Sequence, residues 1–137
     1  MARSVFVDTA HFVALLDVRD NLNPRAMKLA EDFAGERADM VTSDAVLLEL
    51  ANYFARSPLR KHAAKWIAAL RADSAWTIEP VQRDLLRRAE SRYAQHSDKS
   101  WSLTDCHSME VMRQRRIRDV ATADIGFEQA RFRCLLR

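Results

Sequence analysis

Short apolar runs and longer amphipathic stretches take turns along the chain. Val5-Phe6-Val7 is a β-rich run that stops at Asp8. Met40-Val41-Thr42, Trp76-Thr77-Ile78 and residues 119–123 repeat the type, and residues 131–135 form a fifth candidate strand. Between these runs apolar residues recur at helical spacing. Residues 9–16 form one such segment. A second opens at Asn23-Pro24, with Pro suited to the first helical turn, passes Met27, Ala30 and Phe33, and stops near Gly35. Ser43 or Asp44 can cap a third, which reaches about Arg56 before Ser57-Pro58 breaks it. Residues 59–71, 81–95 and 102–115 complete the helices, and 96–100 is a polar loop. This alternation predicts βαβ units, hence an α/β fold on a parallel sheet, in one domain over residues 1–137.

Composition narrows the field. Two glycines and three prolines in 137 residues are too few for a glycine-rich phosphate loop, a flexible linker or a many-stranded sandwich. Cys106 and Cys134, without a CxxC spacing, make neither a zinc site nor a disulfide framework. The N-terminal run from Met1 to Asp8 is charged too early for a signal peptide, and no stretch approaches the ~18 apolar residues of a membrane span. A soluble, cytoplasmic protein is the expectation. The formal charge is +3, and with lysine only at 28, 61, 65 and 99 the basic residues are mostly arginine. Arginine binds phosphate bidentately, which leans towards nucleic acid without deciding it.

In an open parallel sheet, ligands bind outside the carboxyl ends of the strands. Asp8 ends the first strand and Asp124 follows the fourth; Glu49 lies in the helix after the second, and Asp105 in the first turn of the helix leading to the fourth. If the first and fourth strands are neighbours, Asp8, Asp105 and Asp124 converge at one edge. Two unit charges at about 4 Å repel by roughly 4 kcal/mol at an effective dielectric of 20. Such a cluster persists by taking up protons or by binding a hard cation, Mg²⁺ or Mn²⁺. Each acid has another reading. Asp8 can cap the helix starting at Thr9, Ser102-x-x-Asp105 is a capping box, Asp124 can merely end a strand, and Glu49 shares a helix side with Asn52 and Arg56. On a helical wheel, however, Asp105 falls between Met109 and Met112, an apolar side where a carboxylate needs a partner. His11, His62, His96 and His107 are scattered and form no triad.

Four blocks in order carry a resemblance: Val5-Phe6-Val7-Asp8-Thr9; Thr42-Ser43 through Leu48-Glu49-Leu50; Ser102-Leu103-Thr104-Asp105-Cys106 with Met109 and Met112; and Thr122-Ala123-Asp124 with Phe127. Together they resemble the PIN domain family, and within it the VapC-type toxins of prokaryotic toxin–antitoxin modules. The resemblance covers nearly the whole chain. It implies a three-layer α/β/α fold with a central parallel sheet and an endoribonuclease dependent on Mg²⁺ or Mn²⁺. A homodimer and a small cognate antitoxin that blocks the site are also implied. Asp8, Glu49, Asp105 and Asp124 become the acidic, metal-binding and catalytic quartet, with Thr9 and Thr122 as polar supports. Ala10 departs from the second hydroxyl the family often has after Asp-Thr.

The metal would activate water and stabilise charge on the phosphate being cleaved. Two arginine groups could hold RNA: Arg113, Arg115, Arg116 and Arg118 before the fourth strand, and Arg83, Arg87, Arg88 and Arg92 on one helix. A solvated helix face is the alternative for both. Leu59, Trp66, Ile67 and Leu70 look like more apolar surface than a small monomer exposes, in keeping with a dimer. A competing function is a non-catalytic RNA-binding or protein-interaction module that kept the fold and lost the metal; the presence of all four acids argues against it. A doubly wound phosphatase or phospho-receiver would need a second acid beside Asp8, which Thr9-Ala10 does not provide.

Overall fold

Val5, Phe6 and Val7 are all completely buried. Successive side chains of a strand point to opposite faces, so a strand buried at three consecutive positions must be covered on both. The computed structural model, which describes residues 2–137, shows why. This strand, β1 (Ser4–Val7), is the centre of a five-stranded, wholly parallel sheet with helices against it. Of the N-terminal run discussed above, Met1 lies outside the described residues.

In chain order the elements are β1, α1 (Thr9–Leu16), α2 (Asn23–Glu36), β2 (Asp39–Ser43), α3 (Asp44–Tyr53), α4 (Arg60–Ala72) and β3 (Trp76–Glu79). They continue with α5 (Arg83–Gln95), α6 (Leu103–Arg115), β4 (Asp119–Ala121), α7 (Ile125–Gln129) and β5 (Arg133–Cys134). The sheet order is β3-β2-β1-β4-β5. From β1 the chain winds to one side through β2 and β3, then returns to the other through β4 and β5. The direction of winding therefore reverses between β1 and β4, and their carboxyl ends open a crevice there. Register places Val7 opposite Ala121, so the residues after each, Asp8 and Thr122, leave the sheet together.

The core is continuous from Phe12, Phe33 and Val41 through Leu50 and Phe54 to Met109, Met112 and Phe127. Ser43 caps α3, its Oγ accepting from Val46 N at 3.1 Å, while Asp44 pairs with Arg71 at 2.7 Å. Leu59, Trp66 and Ile67 are partly buried against this core and Leu70 is buried in it. Much of the apolar side of α4 is therefore used within the chain, while Trp66 and Leu70 also line an open groove with Phe33 and Trp76. Among the described residues no helix is long and apolar enough to cross a membrane.

Several boundaries differ from the sequence reading: the third helix ends at Tyr53 rather than about Arg56, and the fifth strand is Arg133–Cys134 rather than 131–135. The second helix ends at Glu36, next to the expected Gly35, and Arg37 after it takes the left-handed conformation at φ 54°. The fourth strand stops at Ala121 rather than 123, because Thr122 turns back onto Val120 (N–H to O, 3.0 Å). The chain then forms α7, which was not anticipated; five residues are too few to show a helical period.

Candidate active site at the β1–β4 crevice

Asp8 stands at the N-cap position of α1 with extended backbone, yet its side chain caps nothing. Its Oδ2 accepts from Thr122 Oγ1 at 2.9 Å, and Oδ1 is buried with no partner. The Thr9 hydroxyl beside it is also buried and unpartnered. Thr122 in turn accepts from Asp124 N at 3.2 Å, so one hydroxyl ties the ends of β1 and β4. Asp124 caps α7 through Oδ1, which accepts from Gly126 N at 2.8 Å. Asp105 completes the capping box: Oδ2 accepts from Ser102 N at 2.9 Å, and Ser102 Oγ accepts from Asp105 N at 2.9 Å. The capping reading of Asp105 and its apolar-side position are thus both true of the structure. Glu49 projects from α3 and is half-buried.

The charge environment separates Asp8 from other buried acids. Among the described residues three acids are buried: Asp8, Glu79 and Asp119. Glu79 accepts from Arg115 at 2.6 Å, and Asp119 is held by Arg133 at 2.7 Å and by Arg3 at 3.2 Å. Asp8, only 4% exposed, has no cation. Burial, aggravated by the negative charges of Asp105 and Glu49 and partly relieved by Thr122, pushes its carboxyl up to about 7. Burial also lifts Asp105 to about 6; the Ser102 hydrogen bonds oppose this, and Asp124 and Glu49 reinforce it. The four acids therefore sense one another across one crevice. They stand at electrostatic rather than coordination distance: among the described residues no three His, Cys, Asp or Glu side chains are already grouped to hold an ion.

The fold agrees with a known family. The family model of the PIN domain matches residues 5–133. The chain belongs to the PIN domain family. It is also 30% identical over 128 residues to the 23S rRNA-specific endonuclease VapC20 of Mycobacterium tuberculosis, covering 93% of this chain and 95% of that protein. The crystal structure of VapC20, described as a sarcin-ricin loop cleaving toxin, superposes with a TM-score of 0.83 at 29% identity, over 93% of this chain and 95% of that one. FitAcB from Neisseria gonorrhoeae shares the fold at a TM-score of 0.66 and 20% identity, over 95% of this chain and 94% of that one. The protein is thus a homologue of the VapC-type toxin endonucleases.

In this PIN domain the expected arginines divide. Arg115 is committed to Glu79, and Arg92 donates to Glu110 at 2.7 Å with both side chains nearly buried. Those two secure α6 and cannot turn to a substrate without leaving a carboxylate unpaired. Arg83, Arg87, Arg88, Arg113, Arg116 and Arg118 are exposed and belong to none of the ion pairs among the described residues. His107 is buried with both ring nitrogens unpartnered, and burial holds it below the usual histidine range. Cys106 and Cys134 are free thiols.

The sequence reading did not single out Trp101 and Gly126. Trp101 is buried, and its Nε1 donates to Gln129 at 3.1 Å. A Cβ placed on Gly126 would meet Trp101 Cδ1 at 2.9 Å and Asp124 Oδ1 at 3.2 Å. The indole and the glycine together fix the start of α7, and so the Asp124 carboxylate. The one signal for this in the sequence was glycine scarcity, since only Gly35 and Gly126 occur.

Proposed function

We propose that this PIN domain is a metal-dependent endoribonuclease acting as the toxin of a type II toxin–antitoxin pair. The observation that carries the reading is Asp8: a buried carboxylate with no cation, an unpartnered oxygen, and further acids as its electrostatic neighbours. Such an arrangement suits a divalent ion with hard oxygen ligands. Asp8, Asp105 and Asp124 would hold it, with Glu49 direct or through water. When bound, the ion supplies a water of lowered pKa and charge stabilisation at the scissile phosphate.

The chain's own residues prepare that chemistry. Thr122 fixes Asp8 from one side and Asp124 from the other. Ser102 fixes Asp105 from the amino end of α6. Exposed arginines supply salt-sensitive affinity for the RNA backbone. The curated relative acts on 23S rRNA by its name, so folded ribosomal RNA is the first substrate class to test. Leu48, Leu103 and Ile125 are exposed on the helices that carry the acids, and they give a small antitoxin or a second copy of the chain apolar contact beside the crevice.

Calorimetry with Mn²⁺ tests the metal site, and a fluorogenic RNA tests cleavage. Wild-type protein should bind the ion, and Asp105→Asn and Asp124→Asn should each lose most of the affinity together with cleavage. Unchanged Mn²⁺ affinity in both variants would remove these acids from the site. Light scattering at micromolar concentration reads the homodimer; a strictly monomeric mass would count against it.

A further inference from the structure

The α5–α6 hairpin contains a second basic feature, separate from the carboxylates. An open cleft of about 400 Å³ runs between the two helices, lined by Arg87, Arg88, Arg92, Arg113, Glu110 and His96. Its size is that of a small-ligand pocket, about 300–1,000 Å³. Four guanidiniums face one carboxylate. The Arg92–Glu110 pair forms a fixed wall, with side chains only 11% and 14% exposed. Arg87, Arg88 and Arg113 are exposed and take part in no ion pair among the described residues. Three free forks over a neutralised base form an anion receptor of the kind arginine makes with phosphate.

The cleft adjoins the acid crevice. Arg113 lies eight residues beyond Asp105 on α6, roughly 12 Å along the helix axis and about 80° round it. The His96 ring in the cleft wall packs on Trp101 at 4.8 Å between centroids. Trp101 in turn touches Gly126, beside Asp124. Through these packed residues the arginine cleft and the carboxylates are neighbours on one molecule. An RNA strand at the crevice would have phosphates within reach of the cleft on the same molecule.

We propose that the α5–α6 cleft is a second phosphate-binding site for RNA, engaging the backbone several nucleotides from the scissile bond and orienting a folded substrate on the enzyme. This rests on the ribonuclease reading for its purpose, but not for its measurement. The contact is to phosphate, so it adds affinity and register without reading bases.

The test is fluorescence anisotropy of the whole 137-residue chain with a labelled RNA stem-loop in EDTA, over a series of salt concentrations. The variant Arg87→Gln/Arg88→Gln/Arg113→Gln should bind roughly tenfold to a hundredfold more weakly, and its salt slope should fall by about two to three. The Arg→Lys triple should keep most of the slope. Arg19→Gln, outside the cleft, should change affinity by much less per charge removed. Circular dichroism confirms that the variants fold, as exposed substitutions should. A triple variant with wild-type affinity and slope overturns the proposal. So does a triple variant that keeps RNA binding but loses a labelled poly-glutamate peptide, because the cleft would then dock an acidic protein segment. Failure to cut any RNA would overturn the ribonuclease reading and leave this binding result standing.

Discussion

Asp8→Asn should stabilise the metal-free protein at neutral and alkaline pH while abolishing cleavage. The carboxyl titrates near 7 in the folded chain against an ordinary value of 3.8. A raised carboxylate pKa means that the native state holds a proton the unfolded chain has released. Stability from this group is fully present below about 4, falls as pH rises through the folded pKa, and is gone above it. Three pKa units correspond to roughly 4 kcal/mol, at about 1.4 kcal/mol per unit. Asn keeps an oxygen to accept from Thr122 but places an NH₂ where Oδ1 has no partner, which costs about 1–3 kcal/mol. The net gain above neutrality is therefore about 1–3 kcal/mol, or roughly 3–10 °C in a chain of this length.

The assay is a pair of urea titrations in EDTA, wild type against Asp8→Asn, at several pH values. Absolute curves would mislead, because burial lowers His11 to about 4 and its contribution has the opposite sign. That histidine stabilises above its ordinary value of 6.5 and loses the contribution as pH falls through 4. It is common to both proteins and cancels in the difference. The difference should be about 1–3 kcal/mol unfavourable to the variant at about pH 4, then swing by up to roughly 4 kcal/mol in its favour by about pH 8. Saturating Mn²⁺ should reverse the order, since only the wild type would gain from binding. A difference flat with pH, or a variant less stable than wild type at alkaline pH in EDTA, would refute the account of Asp8 as an uncompensated charge.

Asp105 combines a cap with a site charge, and two substitutions separate them. Asp105→Asn should melt in EDTA at or above wild type, whereas Asp105→Ala should lose about 1 kcal/mol with the cap; neither should bind Mn²⁺ as wild type does in calorimetry. Gly126→Ala places a methyl 2.9 Å from Trp101 Cδ1, so it should cost about 1–3 kcal/mol by thermal melting and reduce cleavage by displacing Asp124. Arg115→Met leaves Glu79 buried without its cation and should destabilise by about 1–3 kcal/mol in urea titration, with Glu79→Gln in the same chain restoring part of the loss.

Most of the architecture was legible because β1 is short, apolar and terminated by a charge, and because the helices between strands are long enough to show a period. The neighbour relation of β1 and β4, on which the crevice depends, follows from doubly wound topology rather than from any residue. Two parts were not legible, for different physical reasons. Helix α7 is a single turn held by the local Asp124 cap and by packing on Trp101, and neither contact leaves a periodic trace. The committed states of Arg92 and Arg115 also depend on partners 18 and 36 positions away in the chain. Composition shows an arginine excess but cannot show which guanidiniums are already spoken for.

The geometry of the acids has a common logic. Asp8, Asp105 and Asp124 each use one carboxylate oxygen in a bond with the fold: to Thr122, to the Ser102 amide and to the Gly126 amide. Each sits at the start of a helix, where the macrodipole partly compensates a negative charge. These contacts lower the cost of holding like charges together without neutralising them, and burial, reinforced by the neighbouring acids, still holds Asp8 and Asp105 above the usual carboxylate range. The uncompensated remainder is strain that a divalent ion would relieve on binding, so metal affinity and metal-free instability have one origin. Removing one of these charges at constant shape should lower metal affinity while raising metal-free stability, and this opposition distinguishes a catalytic reading of the crevice from a structural one.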